Sequence, residues 1–272
     1  TICPFCDSPV ILSGRLSGVL KPNYVIPFKD DGSKIKTLLE NYLKKKILLP
    51  GAFKKEKRAE DIHSVYVPYW VYDSEVYAKL RFHGVRVRTW ISGDYKYTKT
   101  SHYRVVREGK IAFDRIPVDG SSRMPDDLLE SLEPYNFAEA VPFQTGYLSG
   151  YLAEKYDLDQ DVCNKRAQER IKQGTVDAFR STIYDVTNVY LTNSSFQTLD
   201  HKVDYCLYPV WLFNVHWNNK IFPYGVNGQT SKIIGNLPVS GIKLFLFCLF
   251  VWAGLFTGFS LLLVYIVLSV LN

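Results

Sequence analysis

The sequence has little methionine and cysteine, and it lacks the familiar catalytic signatures. Its 272 residues include one Met and five Cys. It has no His-Glu-x-x-His motif, no Gly-x-Ser-x-Gly motif and no Walker loop, since residues 225–232 have glycines and a lysine at the wrong spacing. The familiar motor NTPases are therefore excluded, and we expect no enzymatic activity. An odd number of cysteines does not suit a disulfide framework and favours a reducing compartment.

The composition is that of a folded protein. Lys and Arg number 33 against 27 Asp and Glu, a net charge of +6, while 47% of residues are hydrophobic and 15% aromatic. Such a chain has enough apolar area for a sizeable core, which excludes a disordered polyelectrolyte. The length allows one large domain or two small ones.

A long charge-free run lies at the C-terminus. Residues 244–271 contain no charged side chain, and at about 1.5 Å per residue they would extend roughly 42 Å, more than the roughly 30 Å core of a bilayer. The run predicts one transmembrane helix. Lys232 and Lys243 precede it, so the positive-inside rule predicts a cell-membrane protein whose large N-terminal part is cytoplasmic.

Small residues recur inside the predicted span. Gly254 and Gly258 are four residues apart, and Ser260 follows. This small-xxx-small pattern lets membrane helices approach closely, although it also arises by chance. Self-association through the helix, or contact with a partner helix, is one of two open interpretations.

Charge is distributed unevenly along the chain. Residues 29–58 carry +6 and residues 79–107 carry +7, whereas residues 110–162 carry −7. One interpretation is a solvated surface with salt bridges inside one fold; the other is a basic face toward anionic lipid or nucleic acid, with the anchor favouring lipid. The candidate basic surface comprises Lys44, Lys45, Lys46, Lys54, Lys55, Arg86 and Arg88.

The hydrophobic pattern predicts helices and strands in separate blocks. Helices are expected from a Ser33 cap to Ile47, from Pro125 to Leu132 and from an Asp159 cap to about Tyr184, with Val162 on the apolar stripe of the last. A β-meander is expected over residues 63–113, with turns at 92–94 and 107–110. Further strands are expected at 221–226, at 233–234 and around 203–215, where Pro209 should interrupt the strand. This order predicts an α+β fold with antiparallel sheets.

Tyrosine and tryptophan are concentrated in the predicted meander, at Tyr66, Tyr69, Trp70, Tyr72, Trp90, Tyr95 and Tyr97. Such rings most often fill a core. Beside Arg86 and Arg88 they could instead stack on nucleic-acid bases, as in single-strand binders.

One segment is rich in carboxylates, at Asp114, Asp119, Asp126, Asp127 and Glu130. Oxygen ligands suit a hard metal ion, and a metal-dependent hydrolase would follow from that interpretation. The alternative is structural, with Asp119 in a turn and Asp126 and Asp127 at a helix N-terminus.

The N-terminus holds a Cys-x-x-Cys knuckle formed by Cys3 and Cys6. Tetrahedral zinc needs four ligands, so the knuckle is interpreted as half of a zinc ribbon, and the other half is absent from this sequence. The alternative is a redox Cys-x-x-Cys, which usually opens a helix after a strand, whereas here Asp-Ser-Pro follows Cys6. The five histidines, at positions 63, 83, 102, 201 and 216, show no ligand spacing.

Several strings together resemble one known family. They are Cys3-Pro-Phe-Cys6, Ser13-Gly-Arg-Leu-Ser-Gly18, Tyr24-Val-Ile-Pro-Phe28, Tyr66-Val-Pro-Tyr-Trp70, Phe113-Asp-Arg-Ile-Pro-Val-Asp-Gly-Ser-Ser122, Glu133-Pro-Tyr135 and Asn227-Gly-Gln-Thr230. The chain resembles, over residues 1 to about 240, the YdjG-type family of bacterial TFIIB-like zinc-ribbon membrane proteins.

The resemblance implies an N-terminal four-cysteine ribbon, a cytoplasmic α+β body and C-terminal membrane helices. Such proteins anchor SPFH-domain and phage-shock-type stress proteins at the membrane. On this pattern Cys3 and Cys6 form the second zinc knuckle, so zinc is expected in a chain that also carries the first pair.

These observations predict four segments and one principal function. The segments are a half ribbon (1–20), an α+β body (21–237) that is either one unit or two subdomains (21–135 and 136–237), a linker (238–243) and a transmembrane helix (244–271). We expect a membrane-anchored scaffold that recruits other proteins without catalysis. The alternative is a membrane-tethered nucleic-acid-binding protein.

Overall fold

The computed structural model describes residues 21–51, 53, 62–184, 186, 188–218 and 220–271. Four helices and eight strands are assigned in these ranges, together with short 3-10 turns at Phe137–Glu139 and Thr145–Leu148. In chain order they are β1 (Tyr24–Val25), α1 (Gly32–Lys45), β2 (His63–Ser92), β3 (Tyr95–Asp119), α2 (Asp126–Ser131), β4 (Val141–Pro142), β5 (Leu152–Ala153), α3 (Gln160–Ser181), β6 (Asn188–Trp217), β7 (Lys220–Asn227), β8 (Ile233–Gly235) and α4 (Gly241–Leu271).

The strands form one mixed sheet in the order β3-β2-β6-β1-β4, with β5 added to β2, β7 to β6 and β8 to β7. The long neighbours β2 and β3 are antiparallel, as are β6 and β7. Two short pairings, of β1 with β6 and of β2 with β5, are parallel. The predicted mixed α+β class is confirmed.

The predicted meander is a single long hairpin. Strands β2 and β3 pair from Tyr69 opposite Asp119 to Ser92 opposite Tyr95, with one register shift between Tyr72 and Ser74, and Gly93 at the turn adopts a φ of +60°. The turn expected at 107–110 is wrong. Those residues continue β3, where Lys79 pairs with Glu108 across the strands at 2.8 Å, so the charges that suggested a turn support an extended ribbon instead.

The chain divides into two compact units, each assembled from separate segments. One unit contains Val65–Pro209 and β1. In it, α3 buries a stripe of small and branched side chains against β2, and the partners include Tyr72, Ala78, Leu80 and Phe82. Val162, expected on this stripe, is exposed.

Strand β6 runs through Pro209 without the predicted interruption. The proline φ suits extended backbone, and a proline is tolerated where its missing N–H is not needed for pairing. Its carbonyl accepts a hydrogen bond from the Tyr135 hydroxyl at 3.4 Å. The apolar residues on both sides of Pro209 therefore belong to one strand.

The other unit contains Phe28–Ser64 and Val210–Asn272. Its helix α1 buries Ile35, Leu39 and Leu43 against the last part of β6 and against β7. The N-cap is Asp31 rather than the predicted Ser33, because the Asp31 carboxylate accepts from the Lys34 N–H at 2.9 Å.

Helix α1 ends at Lys45, before the predicted Ile47, and Lys44 and Lys45 lie in its last turn. Helix α4 begins at Gly241, so it includes half of the predicted linker 238–243. The body of this unit and the apolar helix are consequently joined by only a few residues.

Candidate membrane anchor and interaction sites

Helix α4 is the one helix, among the residues that the structure describes, that is long and apolar enough to cross a membrane. Its qualifying stretch is Gly241–Leu262, and none of it is buried. A core helix of a soluble protein would lose most of its surface to neighbouring elements, whereas this helix exposes Phe250, Leu255 and Leu261 among many other large apolar side chains.

Polar contacts hold the first turn of α4 against the segment that follows α1. The Ser240 N–H donates to the Leu48 carbonyl at 2.9 Å, and the Lys243 ammonium donates to the Leu49 carbonyl at 2.8 Å. Lys243, which the sequence suggests only as a flanking positive charge, is therefore a structural contact. These bonds fix the direction of α4 relative to this unit.

The predicted small-residue pattern lies on the exposed part of α4. A Cβ added to Gly254 or Gly258 would meet nothing within 4 Å, and the Ser260 hydroxyl donates to the Phe256 carbonyl at 2.9 Å. The glycines leave open backbone on one helix face, as close helix packing requires. Helix association through them stays a prediction.

The lysines predicted as a basic surface fall into two groups. Lys44, Lys45 and Lys46 are exposed at the end of α1, where cations favour the helix dipole. The Lys46 ammonium also lies 4.5 Å from the centre of the Tyr42 ring. Lys54 and Lys55 lie outside the described residues.

The distal end of the β2–β3 hairpin carries a second candidate surface, which we call the distal face. Because side chains alternate along strands, the register places one set of rings and cations on the same side of the ribbon. It consists of Arg86, Arg88, Trp90, Tyr95, Tyr97, Lys99 and Tyr103. Helix α3 covers this same side farther down, where Val176 packs with Leu80 and Phe82.

Aromatic rings of the distal face are paired yet open to solvent. Trp90 and Tyr97 stack with ring centres 5.6 Å apart at an angle of 13°, and the Arg86 guanidinium lies 5.5 Å from the Tyr103 ring centre. Trp90 is nevertheless 48% exposed and Tyr95 71% exposed. Exposed large rings in a contiguous patch are typical of interaction sites.

The charges of the distal face are of one sign. Arg88 stands directly opposite Lys99 in the β2–β3 register, an arrangement that destabilises a strand pair. Farther down the hairpin the cations are matched, since Lys110 lies 3.4 Å from Glu75. The like-charged pair is a local conflict of the kind that marks a binding surface.

Some of the aromatic residues predicted along the hairpin therefore fill the core, and others are open to solvent. Tyr66, Tyr69 and Tyr72 belong to the core, and Trp70 is half-buried with its indole N–H donating to the Leu158 carbonyl at 2.9 Å. The three rings nearest the turn, Trp90, Tyr95 and Tyr97, are on the open distal face. The sequence of the strands could not separate the two groups, because the difference lies in what packs against the rings.

Three of the five predicted cluster carboxylates gather around one guanidinium. Arg166 of α3 lies 3.0 Å from Asp119, 3.1 Å from Asp126 and 2.8 Å from Glu130. These three carboxylates therefore form ion pairs with one arginine, as in the structural interpretation. Asp114 and Asp127 do not join this group, and Asp127 accepts from the Leu128 N–H of its own helix.

Beside this cluster lies a buried polar group that the sequence analysis missed. The Ser121 hydroxyl donates to the Glu154 carboxylate at 2.8 Å, and Arg123 lies 3.2 Å from it. Burial raises the pKa of Glu154 to about 7 despite these partners. Burial likewise raises the pKa of Asp119 to about 6, against the opposing effect of Arg166. No sequence signal marks Glu154, which follows a two-residue strand.

Metal-binding candidates are sparse in the part of the chain that the structure describes. It contains no group of three or more His, Cys, Asp and Glu residues placed to hold a metal ion. His83 and His102 approach to 3.2 Å between ring nitrogens, although no sequence spacing predicted the pair.

Cys163 is buried, and burial raises the pKa of its thiol to about 11. Cys3 and Cys6 lie outside the described residues, so the zinc knuckle stays a prediction.

The fold and the exposed helix define a mixed α+β protein with one apolar helix long enough to span a bilayer. The chain is 34% identical over 230 residues to the uncharacterised protein YdjG of Bacillus subtilis (strain 168), and the match covers 85% of this chain and 67% of that protein. The chain belongs to the YdjG family. No protein-family model and no solved structure matches it.

Proposed function

We propose that this protein is a membrane-anchored scaffold whose α+β body lies on the cytoplasmic side and recruits other proteins without catalysing a reaction. The observation that carries the proposal is the apolar helix α4, whose stretch Gly241–Leu262 has no buried residue, together with the contacts of Ser240 and Lys243 that hold its first turn. Such a helix is stable in a bilayer and would aggregate in water.

The distal face of the hairpin is the proposed recruitment surface. It combines stacked rings with Arg86 and Arg88, and aromatic residues and arginine are enriched at the centres of protein interfaces. Lys99 adds a further positive charge. The like-charged pair of Arg88 and Lys99 favours a partner segment with carboxylates. By the family resemblance, SPFH-domain and phage-shock-type proteins are the proposed partners, and zinc on the N-terminal cysteines is proposed for a chain that carries the full ribbon.

A nucleic-acid partner is the second candidate. The observation that favours it is again the stack of Trp90 on Tyr97 beside Arg88 and Lys99, since rings and cations together bind single strands. The two candidates differ in salt dependence. Phosphate binding releases counterions and weakens steeply with added salt, whereas an interface with an apolar centre weakens little.

Membrane fractionation followed by tagged purification tests the proposal. The chain should stay in the membrane fraction after an alkaline wash and should retain protein partners after nuclease treatment. The matched variants are Trp90→Ala with Arg88→Ala on the distal face and Thr89→Ala with Thr98→Ala on the opposite face of the same strands. Loss of partners only with the first pair is expected. Release from membranes by the wash, or partners that vanish with nuclease, would overturn the scaffold.

A further inference from the structure

A groove of about 360 Å³ lies where α1 ends and α4 begins. Its size is within the roughly 300–1,000 Å³ of small-molecule sites. The side chains that line it are mainly apolar and are joined by two lysines, and none is acidic. The residues on which the argument rests are Lys45, Lys46, Leu48, Leu237, Val239 and Phe247.

The groove is held at a fixed place along α4. The Ser240 and Lys243 contacts join its α1 side to the first turn of α4. Phe247 lies about 9 Å along the helix from Gly241, at 1.5 Å per residue. The groove therefore spans from the lysines at the end of α1 to a ring well inside the apolar helix.

The surroundings of the groove are amphipathic. Ile47 is 75% exposed and Ile242 is 76% exposed, so large apolar side chains face outward beside the exposed lysines. The N-terminal end of α4 adds a partial positive charge. A molecule that suits this site has a long apolar part and an anionic head.

We propose that the groove binds an anionic phospholipid, with one acyl chain against Leu48, Val239 and Phe247 and the phosphate beside Lys45 and Lys46. The inference rests on the proposed membrane anchor, which puts the start of α4 at the boundary between headgroups and acyl chains. Lysines near a membrane surface favour anionic lipid in this way.

The test uses the full chain in nanodiscs that contain phosphatidylcholine alone or mixed with phosphatidylglycerol. Native mass spectrometry after gentle release counts the lipids that stay bound. Wild type should retain phosphatidylglycerol in preference to phosphatidylcholine. Lys45→Gln with Lys46→Gln should lower that preference by about thirtyfold. Val239→Trp, which fills the groove and leaves both lysines, should also remove the bound lipid.

Lys36→Gln with Lys155→Gln removes the same charge from exposed positions outside the groove and should change nothing. If this control loses the preference for phosphatidylglycerol equally, the effect is due to the total charge of the protein, and the proposed site is wrong. If the Val239→Trp variant still retains the lipid, the acyl chain does not lie in the groove. If wild type enters nanodiscs without lipid preference, the site fails while the anchor stands; if it does not enter them, both fail.

Discussion

The two ends of the β2–β3 hairpin carry the same kinds of residue in opposite surroundings. Near the base, Tyr69 stacks on Tyr208 with ring centres 4.2 Å apart, and midway along the hairpin Phe82 is completely buried under α3. Near the turn, Trp90 and Tyr97 stack in the same manner but stay open. The strand pattern is continuous, so the second layer of side chains, and not the strand itself, determines which rings stabilise the fold and which are available for binding.

The charged residues of the hairpin also differ between its base and its turn. At the base, Arg166 neutralises Asp119, and the mid-hairpin lysine Lys79 is paired with Glu108. At the turn, Arg88 opposes Lys99. A surface that keeps like charges together sacrifices some stability, and such conflicts are expected at functional sites. Three perturbations test whether the base is structural and the distal face is functional.

The largest effect is expected from matched truncations of one buried ring and one ring of the distal face. Phe82→Ala should lower the free energy of unfolding by about 3–5 kcal/mol, because it opens a cavity under α3. Trp90→Ala should lower it by about 1 kcal/mol or less, since only an exposed stack is lost. Denaturant unfolding of the detergent-solubilised chain measures both. Equal losses would show that the distal face is also part of the core.

A pH-dependent effect of up to roughly 3 kcal/mol is expected at the base from Glu154. Its pKa of about 7 in the fold exceeds its ordinary value of 4.5, so the folded state binds the proton more tightly than the unfolded state. The stabilisation is complete below about pH 4.5 and is lost as the pH rises through 7. Glu154→Gln keeps an acceptor for Ser121 and does not titrate.

Unfolding measured from pH 5 to pH 8 should show wild type losing stability relative to Glu154→Gln. Parallel curves for the two proteins would refute the raised pKa. Asp119→Asn alters the ion pair with Arg166, so it does not serve as a clean control. Lys155→Gln, an exposed neighbour of Glu154 in sequence, should leave the pH dependence of wild type intact.

The smallest effect is a gain of stability at the distal face. Lys99→Glu replaces a like-charge pair with Arg88 by an opposite-charge pair and should raise the free energy of unfolding by about 0.2–1 kcal/mol. The same variant should lose recruited partners, because it cancels positive charge. Lys99→Gln should give a smaller change of each kind. A variant that is less stable, or that keeps full recruitment, would contradict the functional role of the like-charge pair.

Much of this organisation follows from local patterns in the sequence. Helix α1 is confirmed over most of its predicted length, as is the turn at Gly93. The long apolar helix is also confirmed as a helix, and its exposure is consistent with the predicted span. These features depend on residues close together in the chain, where periodicity and turn chemistry act directly.

The remaining features depend on contacts between distant residues. The turn expected at 107–110 failed because Glu108 finds Lys79 on the neighbouring strand, and the grouping of Asp119 with Glu130 depends on Arg166 from α3. The distal face was predicted only as one of two options, because nothing local says where α3 stops covering the hairpin. Tertiary packing, which periodicity does not report, determines each of these.

Site-specific photo-crosslinking from the hairpin in intact cells tests the central claim most directly. A crosslinking residue at position 97 lies on the distal face, and one at position 98 lies on the opposite face of the same strand. The account predicts protein adducts in the membrane fraction from position 97 that resist nuclease, and far fewer from position 98. Equal adducts from both positions, or adducts at position 97 that disappear with nuclease, would contradict a protein-recruiting scaffold.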